Sequence, residues 1–293
     1  MCILVAKYFP ETGWCGAKNR DRNYIPDLCF KREDVSGMER LLYRDNITQY
    51  REGLNDEGVC ILSASLMVAD DEKEIKGPNK SHSGDGDKIS EALKLPTVAE
   101  AMKFLIKKEL TGNTIVFDRE KLMLLEASNK KNADGTDTYV FTARAIPKTE
   151  TVARTNHGVD ITWAGYQSDG EENEKLSRKS SESRLKIAQR VVNKAKTPMA
   201  LIDLLCGKYV DDPQMNVLRT STDRKKMRTT AQILLVPAEK TMYVRPIQSH
   251  ISYNFWKMDD PEADTWVEIL SNKPLWQDHP KESNGSPKLK HIS

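Results

Sequence analysis

The sequence has no C-x-x-C pair, no basic block, few histidines and no apolar run of membrane-spanning length. Its five cysteines, Cys2, Cys15, Cys29, Cys60 and Cys206, are odd in number and widely separated, which argues against both a disulfide framework and a zinc site. Cys60 and Cys206 lie in apolar runs and read as small buried hydrophobes. Lysine and arginine (45) nearly balance aspartate and glutamate (43), and no basic run is interleaved with aromatics, so a nucleic-acid partner is not expected. The first apolar run, residues 3–6, is far shorter than a signal-peptide core and has no basic segment before it. No stretch approaches the roughly 20 apolar residues of a membrane span. The expectation is a cytoplasmic protein that uses no membrane. His82, Asp85 and Asp87 fall in a charged, Gly/Ser-rich stretch (70–88) and read as solvated loop residues rather than ligands, so no metal and no cofactor is expected.

What is present is an ordinary globular composition, 38% hydrophobic and 30% charged over 293 residues. The expected organisation is a single domain over 1–271 and a polar, proline-containing tail over 272–293. That tail is the expected route to a homo-oligomer or a larger assembly.

The most informative feature is Cys2, with the polar cluster Lys18-Asn19-Arg20-Asp21-Arg22 one hairpin away. Removal of Met1, by an aminopeptidase or by autocatalysis, would give Cys2 a free α-amine beside its own thiol. Amine and thiol titrate at about 7.7–8.0 and 8.5, so one residue would hold both nucleophile and base. Residues 2–9 are rich in strand formers, Pro10-Glu11-Thr12-Gly13 is a turn signal, and residues 14–17 resume an apolar run. A turn centred on Glu11 and Thr12 sets Asp21 opposite Cys2, roughly 5 Å away between Cβ atoms, where its carboxylate would hold the ammonium. Lys18 or Arg20 nearby would favour thiolate. The competing reading is a chance Met-Cys start followed by a solvated strand end.

Further along, residues 58–66 read as a buried strand introduced by a turn at 53–58. Thr97-Val98-Ala99-Glu100 forms a capping box opening a helix to about 108. Residues 114–118 and 122–127 form a hairpin, followed by a polar turn at 132–135 and a strand over 138–143. An acidic, Ser-rich excursion over 168–183 feeds a helix over 183–196. Thr197-Pro198 starts another through 206, and 229–236 with 241–246 make a closing hairpin. Hairpins at both ends with helices between them predict an α+β layered architecture.

Several of these segments resemble, in order, the cysteine branch of the N-terminal nucleophile (Ntn) hydrolases. That branch includes bile salt hydrolases and penicillin V acylases, the isopenicillin N acyltransferase family and the NRDE-motif proteins. Met1-Cys2-Ile3 with Asn19-Arg20-Asp21 is similar to the NRDE opening, and Lys18-Asn19-Arg20-Asp21 to the Arg-Asn-x-Asp segment of the bile salt hydrolases. Residues 52–58 resemble a Gly-x-Asn-x-x-Gly turn of these families. Thr155-Asn156-His157 resembles the Thr-Asn-His segment of the acyltransferase family, and Ser180-Ser181-Glu182-Ser183-Arg184 the Ser-rich, Arg-containing helix opening that follows. Thr230-Ala231-Gln232 with Met242-Tyr243-Val244 looks like the closing hairpin. Two positions depart from the pattern: Lys18 replaces the Arg of the bile salt hydrolases, and Arg22 replaces the Glu of the NRDE proteins.

The resemblance implies a four-layer αββα sandwich of two antiparallel sheets flanked by helices. It also implies Cys2 as nucleophile and base, Asp21 as partner of the amine, Asn156 as oxyanion donor and Arg184 as the arginine near the thiol. Lys18 completes the expected catalytic set, with a second oxyanion residue near Ser65–Met67. Arg20, His157 and Ser65 are the expected substrate-facing residues, His157 being read as a structural hydrogen-bonding group rather than a general base. The expected function is hydrolysis of a linear amide through an acyl-enzyme on Cys2, with a small-molecule amide or thioester as partner. The alternatives are an acyltransferase of the isopenicillin N acyltransferase type, or a catalytically idle Ntn fold serving as a structural or interaction protein.

Overall fold

The computed structural model describes residues 2–22, 28–35, 37–66, 84–166, 172–220, 226–246, 254–257 and 267–270. Met1, Met67, His82, most of the 70–88 stretch and the tail over 272–293 lie outside the described residues.

The described residues form two antiparallel sheets. One has six strands in the order β10 (Val152–Arg154), β1 (Cys2–Phe9), β2 (Gly13–Arg22), β11 (Arg228–Val236), β12 (Thr241–Pro246) and β13 (Asn254–Lys257). The other has eight: β14 (Val267–Leu270), β3 (Leu28–Val35), β4 (Met38–Asp45), β5 (Arg51–Asn55), β6 (Cys60–Ala64), β7 (Gly112–Phe117), β8 (Leu122–Lys131) and β9 (Asp137–Ala145). Strand alternation sorts the side chains into three apolar layers. Cys2, Leu4, Ala6 and Trp14 face inward and meet Leu41, Leu54, Leu62 and Phe117 of the other sheet. Ile3, Val5 and Ala17 face outward onto helices α3 (Glu172–Val192) and α4 (Pro198–Leu205). The outer face of the second sheet, with Ile61, Val116 and Leu125, is covered by α1 (Asp85–Ala92) and α2 (Val98–Lys107). The order helix, sheet, sheet, helix is the αββα sandwich. Because β1 is buried on both faces, its sequence reads as a continuous apolar run rather than an alternation.

The first hairpin differs from expectation by one residue. Cys2 pairs with Arg20, not Asp21, and Phe9 with Gly13, so the loop holds three residues, Pro10, Glu11 and Thr12. Gly13 closes it at φ +78°, the left-handed residue that three-residue hairpin loops require. A Cβ there would lie 2.2 Å from the Arg119 carbonyl oxygen, to which Trp14 N–H donates. Pairing slip of one residue moves every side chain to the opposite face. Lys18, Arg20 and Arg22 therefore share the inner face with Cys2, and Asn19 and Asp21 point to the helices.

Three further segments differ. Residues 52–55 are strand, not turn, and the turn proper is at 56–58, where Asn55 Oδ1 accepts from Val59 N–H at 2.8 Å. Residues 85–88, expected as loop, open α1, where Asp85 bonds Lys88 and Thr111. Helix α3 begins at Glu172, well before 183, because Glu, Lys, Arg and Leu dominate the run and Glu172 and Glu174 suit its N-terminal dipole. The capping box at Thr97 and the Thr197-Pro198 start are found as expected, Thr97 Oγ1 accepting from Glu100 N–H at 3.2 Å.

Candidate active site

Cys2 opens β1 and is 3% exposed. On one side β10 runs antiparallel to it, Leu4 opposite Arg154, and the same register carries the chain leaving β10 past Cys2 at Asn156. There Cys2 N–H donates to Asn156 Oδ1 at 2.6 Å. The other end of that amide is fixed too, Nδ2 donating to the Ser65 carbonyl oxygen at 2.6 Å, just beyond β6. Asn156 thus ties the start of β1 to the facing sheet. Its own N–H donates to Ser181 Oγ of α3 at 3.2 Å.

The segment around Asn156 is clamped by His157, expected as a structural hydrogen-bonding group, and by Asn113 and Glu126, which sequence reasoning did not single out. Asn113 Nδ2 donates to the Thr155 carbonyl oxygen at 2.9 Å. His157 Nδ1 lies 3.0 Å from Thr155 Oγ1 and 2.8 Å from Ser181 Oγ. Burial pushes the imidazole down to about 4, so it is neutral at neutral pH and serves these hydrogen bonds. Glu126 is fully buried, and its Oε1 accepts from the N–H groups of Val159, Asp160 and Ile161 at 2.9, 2.9 and 2.6 Å. Glu126→Ala is expected to leave these donors without their acceptor and to cost about 1–3 kcal/mol. Amide hydrogen exchange at 159–161 should accelerate with it; unchanged protection there would show that the carboxylate does not hold the segment.

The expected polar cluster divides by strand face. On the inner face Lys18 Nζ donates to Glu52 Oε1 at 2.6 Å and to the Ser63 carbonyl oxygen at 2.5 Å, and Arg20 Nη2 to Asp45 Oδ2 at 2.6 Å. Both pairs are fully buried and bridge the two sheets. Arg20 is therefore a structural cation rather than an exposed substrate contact. On the outer face Asn19 Nδ2 donates to the carbonyl oxygens of Leu205 and Val217, and its Oδ1 accepts from Gln232. Asp21 Oδ2 is held by Arg184 Nη2, Asp21 Oδ1 accepts from Thr229 Oγ1 at 2.8 Å, and Arg219 Nη1 stands 3.9 Å from Oδ2.

Two expectations are corrected here. Cys2 N–H is held by Asn156, while the carboxylate of Asp21 serves Arg184, Thr229 and Arg219. Arg184, fully buried against Asp21 and the Asn216 carbonyl oxygen, is not the guanidinium in contact with the thiol. That guanidinium belongs to Arg22, whose Nη1 lies 3.5 Å from Cys2 Sγ. The signal for it was in the sequence: with period-two alternation Arg22 must share a face with Lys18 and Arg20.

Burial alone would push the Cys2 thiol up, but Lys18, Arg22 and the ammonium of Met1 outweigh burial and Asp21, bringing it down to about 6 in the chain that keeps Met1. The other described cysteines behave differently. Burial raises Cys15 to about 12 and Cys60 well above the ordinary thiol range, and Cys206 bonds Gln232 Oε1. Ser65 is exposed beside Asn156, and Leu66, Ile161 and Ala164 form a small apolar cluster next to it. Among the described residues no group of three or more His, Cys, Asp or Glu is placed to hold a metal, and no helix is long and apolar enough to cross a membrane.

No family model and no curated protein matches this sequence. Solved structures do match. A variant of conjugated bile acid hydrolase from Clostridium perfringens aligns over 95% of this chain and 100% of its own, with TM-score 0.57 and 11% identity. A second variant of that hydrolase aligns over 93% and 98%, with TM-score 0.56 and 10% identity. Penicillin V acylase from Agrobacterium tumefaciens aligns over 92% and 86%, with TM-score 0.47 and 12% identity. The likeness to the bile acid hydrolase shows that this chain has the Ntn-hydrolase fold.

Proposed function

We propose that this Ntn-fold chain is an amidohydrolase that cleaves a linear amide through an acyl-enzyme on Cys2. The observation that carries the reading is the seat of Cys2. Its nitrogen is fixed on Asn156 Oδ1 at 2.6 Å, at the start of a strand buried between sheet and helices, with a thiol that Lys18 and Arg22 draw down against the effect of burial. The reading requires Cys2 to be the mature amino terminus.

In that state the thiolate attacks the amide carbonyl carbon, and the carbonyl oxygen takes the negative charge. Asn156 Nδ2 has two N–H bonds, and the one not given to Ser65 is the donor for that oxyanion. The C–N bond then breaks as the α-ammonium of Cys2 passes a proton to the leaving amine, giving a thioester and a free amine. Water attacks the thioester, its proton goes to the α-amine, the C–S bond breaks, and a carboxylic acid and the thiol are released. The fold shared with conjugated bile acid hydrolase supports a hydrolase.

The test begins with intact mass and peptide mapping of the purified protein after limiting alkylation. Loss of Met1 with preferential label on Cys2, followed by turnover of a panel of N-acyl amides, is the expected result. A retained Met1 with an unreactive Cys2 would overturn the reading in favour of an idle scaffold. Asn156→Ala is expected to lower kcat/KM by about 10²–10³, mostly in kcat, because the lost donor acts on charge that develops only in the transition state. A change confined to KM would remove Asn156 from the oxyanion site.

A further inference from the structure

Among the described residues each sheet ends in two edge strands, and three of these are short. Strand β10 has three residues and β13 four, while β14 has four and pairs with β3 through a register shift. Strand β9 is different. Its nine residues pair with β8 without a shift, from Asp137 opposite Lys131 to Ala145 opposite Met123, and no further described strand joins it. The hairpin that makes β9 fixes which of its backbone groups are spent. Asn132 N–H donates to the Thr136 carbonyl oxygen and Ile146 N–H to the Leu122 carbonyl oxygen, so the even-numbered residues of β9 exchange hydrogen bonds with β8. The N–H and C=O groups of Asp137, Tyr139, Phe141, Ala143 and Ala145 therefore point away from the sheet. Proteins blunt such an edge with proline, lysine or a bulge. Strand β9 has none of these, and Phe141 is 44% exposed on it.

We propose that β9 is the surface through which two copies of this chain associate, edge to edge and antiparallel, about a two-fold axis perpendicular to the sheet. Such an axis leaves every residue on its own face of the sheet, so odd-numbered residues meet odd-numbered ones and even meet even. The register centred on Val140 sets Tyr139 opposite Phe141 of the second copy, and Phe141 opposite Tyr139 of the second copy. It also sets Thr138 opposite Thr142. Aromatic and threonine pairs of this kind favour strand association. Within each chain Tyr139 and Phe141 already stack at 5.5 Å, and Tyr139 is tethered by its hydroxyl, which donates to the Leu110 carbonyl oxygen at 2.9 Å. The pairing thus joins two preformed aromatic stacks. It keeps the two Asp137 carboxylates at opposite ends of the interface, each toward the end where the second copy carries Arg144. The register centred on Phe141 instead sets Tyr139 against Ala143 and Thr138 against Arg144, and forfeits these pairs. This self-complementarity selects a second copy of the chain over an unrelated partner. Val140 packs against Leu66, Ile161 and Ala164, so the association lies beside the segment that follows Asn156.

The proposal stands apart from the hydrolase reading, and its test needs no substrate. Sedimentation velocity of the full chain between about 1 and 100 µM is expected to show a monomer–dimer equilibrium. Residue-resolved amide exchange over the same range should show protection at Tyr139, Phe141 and Ala143 rising with concentration, while Thr138, Val140 and Thr142, bonded to β8, are protected throughout. Phe141→Glu removes both aromatic pairs and puts a carboxylate diagonal to Asp137 of the second copy. It is expected to weaken the dimer about tenfold or more and, at an exposed position, to leave thermal unfolding of the monomer nearly unchanged. Ala143→Pro removes one outward N–H and no bond to β8, and should weaken the dimer as well. A chain that stays monomeric across the range overturns the proposal, as does a dimer that both folded variants leave intact. Amides at 139, 141 and 143 protected at every concentration in a monomer would give the edge to another segment of the same chain, and would overturn it too.

Discussion

Cys2→Ala is expected to abolish turnover, by on the order of 10³–10⁵-fold, while the protein keeps its fold. The side chain removed is small, and its neighbours on the inner face, Leu4, Ala6 and Leu62, stay in place, so the packing loss is that of one sulfur atom. What disappears is the only atom that can form the acyl-enzyme. Alanine is small enough that removal of Met1 proceeds as for cysteine, so the variant isolates the nucleophile from the amine. Cys2→Ser is the informative companion. A hydroxyl is far harder to ionise than a thiol, and neither Arg22 nor the α-amine compensates, so a small residual rate marks a site assembled around a poor nucleophile. A third version, with one residue inserted between Met1 and Cys2, keeps the thiol but turns the amine into a peptide nitrogen, and it should be as inactive as the alanine variant. Acyl-enzyme trapped as a mass increment on Cys2 should be present in wild type and missing in all three. A wild-type rate in Cys2→Ala would remove the nucleophile from its assigned place.

The layered fold was legible because its signals are local. The capping box at Thr97, the Thr197-Pro198 start and the closing hairpin each specify an element within a few residues. Strands β3 and β4 were not read, since 28–45 mixes charged and apolar residues without a clear alternation, and much of that charge ends in pairs such as Arg32 with Glu39 and Arg40 with Glu33. Helix α3 was read too short because a serine run was taken as surface. In fact Ser180 and Ser181 are buried, and small hydroxyls let the helix come close enough to bond Thr155, Asn156 and His157.

The site was legible as a set of residues but not as a set of contacts. Cys2, Asn156 and the charged cluster do come together. Their partners were misassigned because one residue of hairpin register decides which member of the cluster faces Cys2, and sequence fixed the turn only to within that residue. Arg22 follows from the correct register. Glu126 and Asn113 could not have been found, since a buried carboxylate gathering three N–H groups of a loop more than thirty residues away leaves no local pattern.

Asp21→Asn separates the two roles that this carboxylate has been given. If it held the amine of Cys2, its loss would strike catalysis and leave stability nearly intact. In the structure it accepts from Arg184, which is fully buried, and stands 3.9 Å from Arg219, which is 1% exposed. Burial weakens the hold of Arg219 on its proton, as does neighbouring Arg184, and Asp21 works in the opposite sense. Removing the carboxylate shared by two interior guanidiniums is therefore expected to cost about 3–5 kcal/mol, the penalty of uncompensated buried charge rather than the worth of one hydrogen bond. In thermal unfolding this corresponds to a fall of roughly 10 °C. The neighbouring bond from Thr229 Oγ1, at 2.8 Å, can be kept by the asparagine oxygen, so the loss should track charge and not shape. Asp21→Asn combined with Arg184→Met should lose less than the sum of the two single changes, because the second removes one of the cations that the first leaves exposed to its neighbour. Additive losses, or a variant of wild-type stability without activity, would return Asp21 to the amine of Cys2.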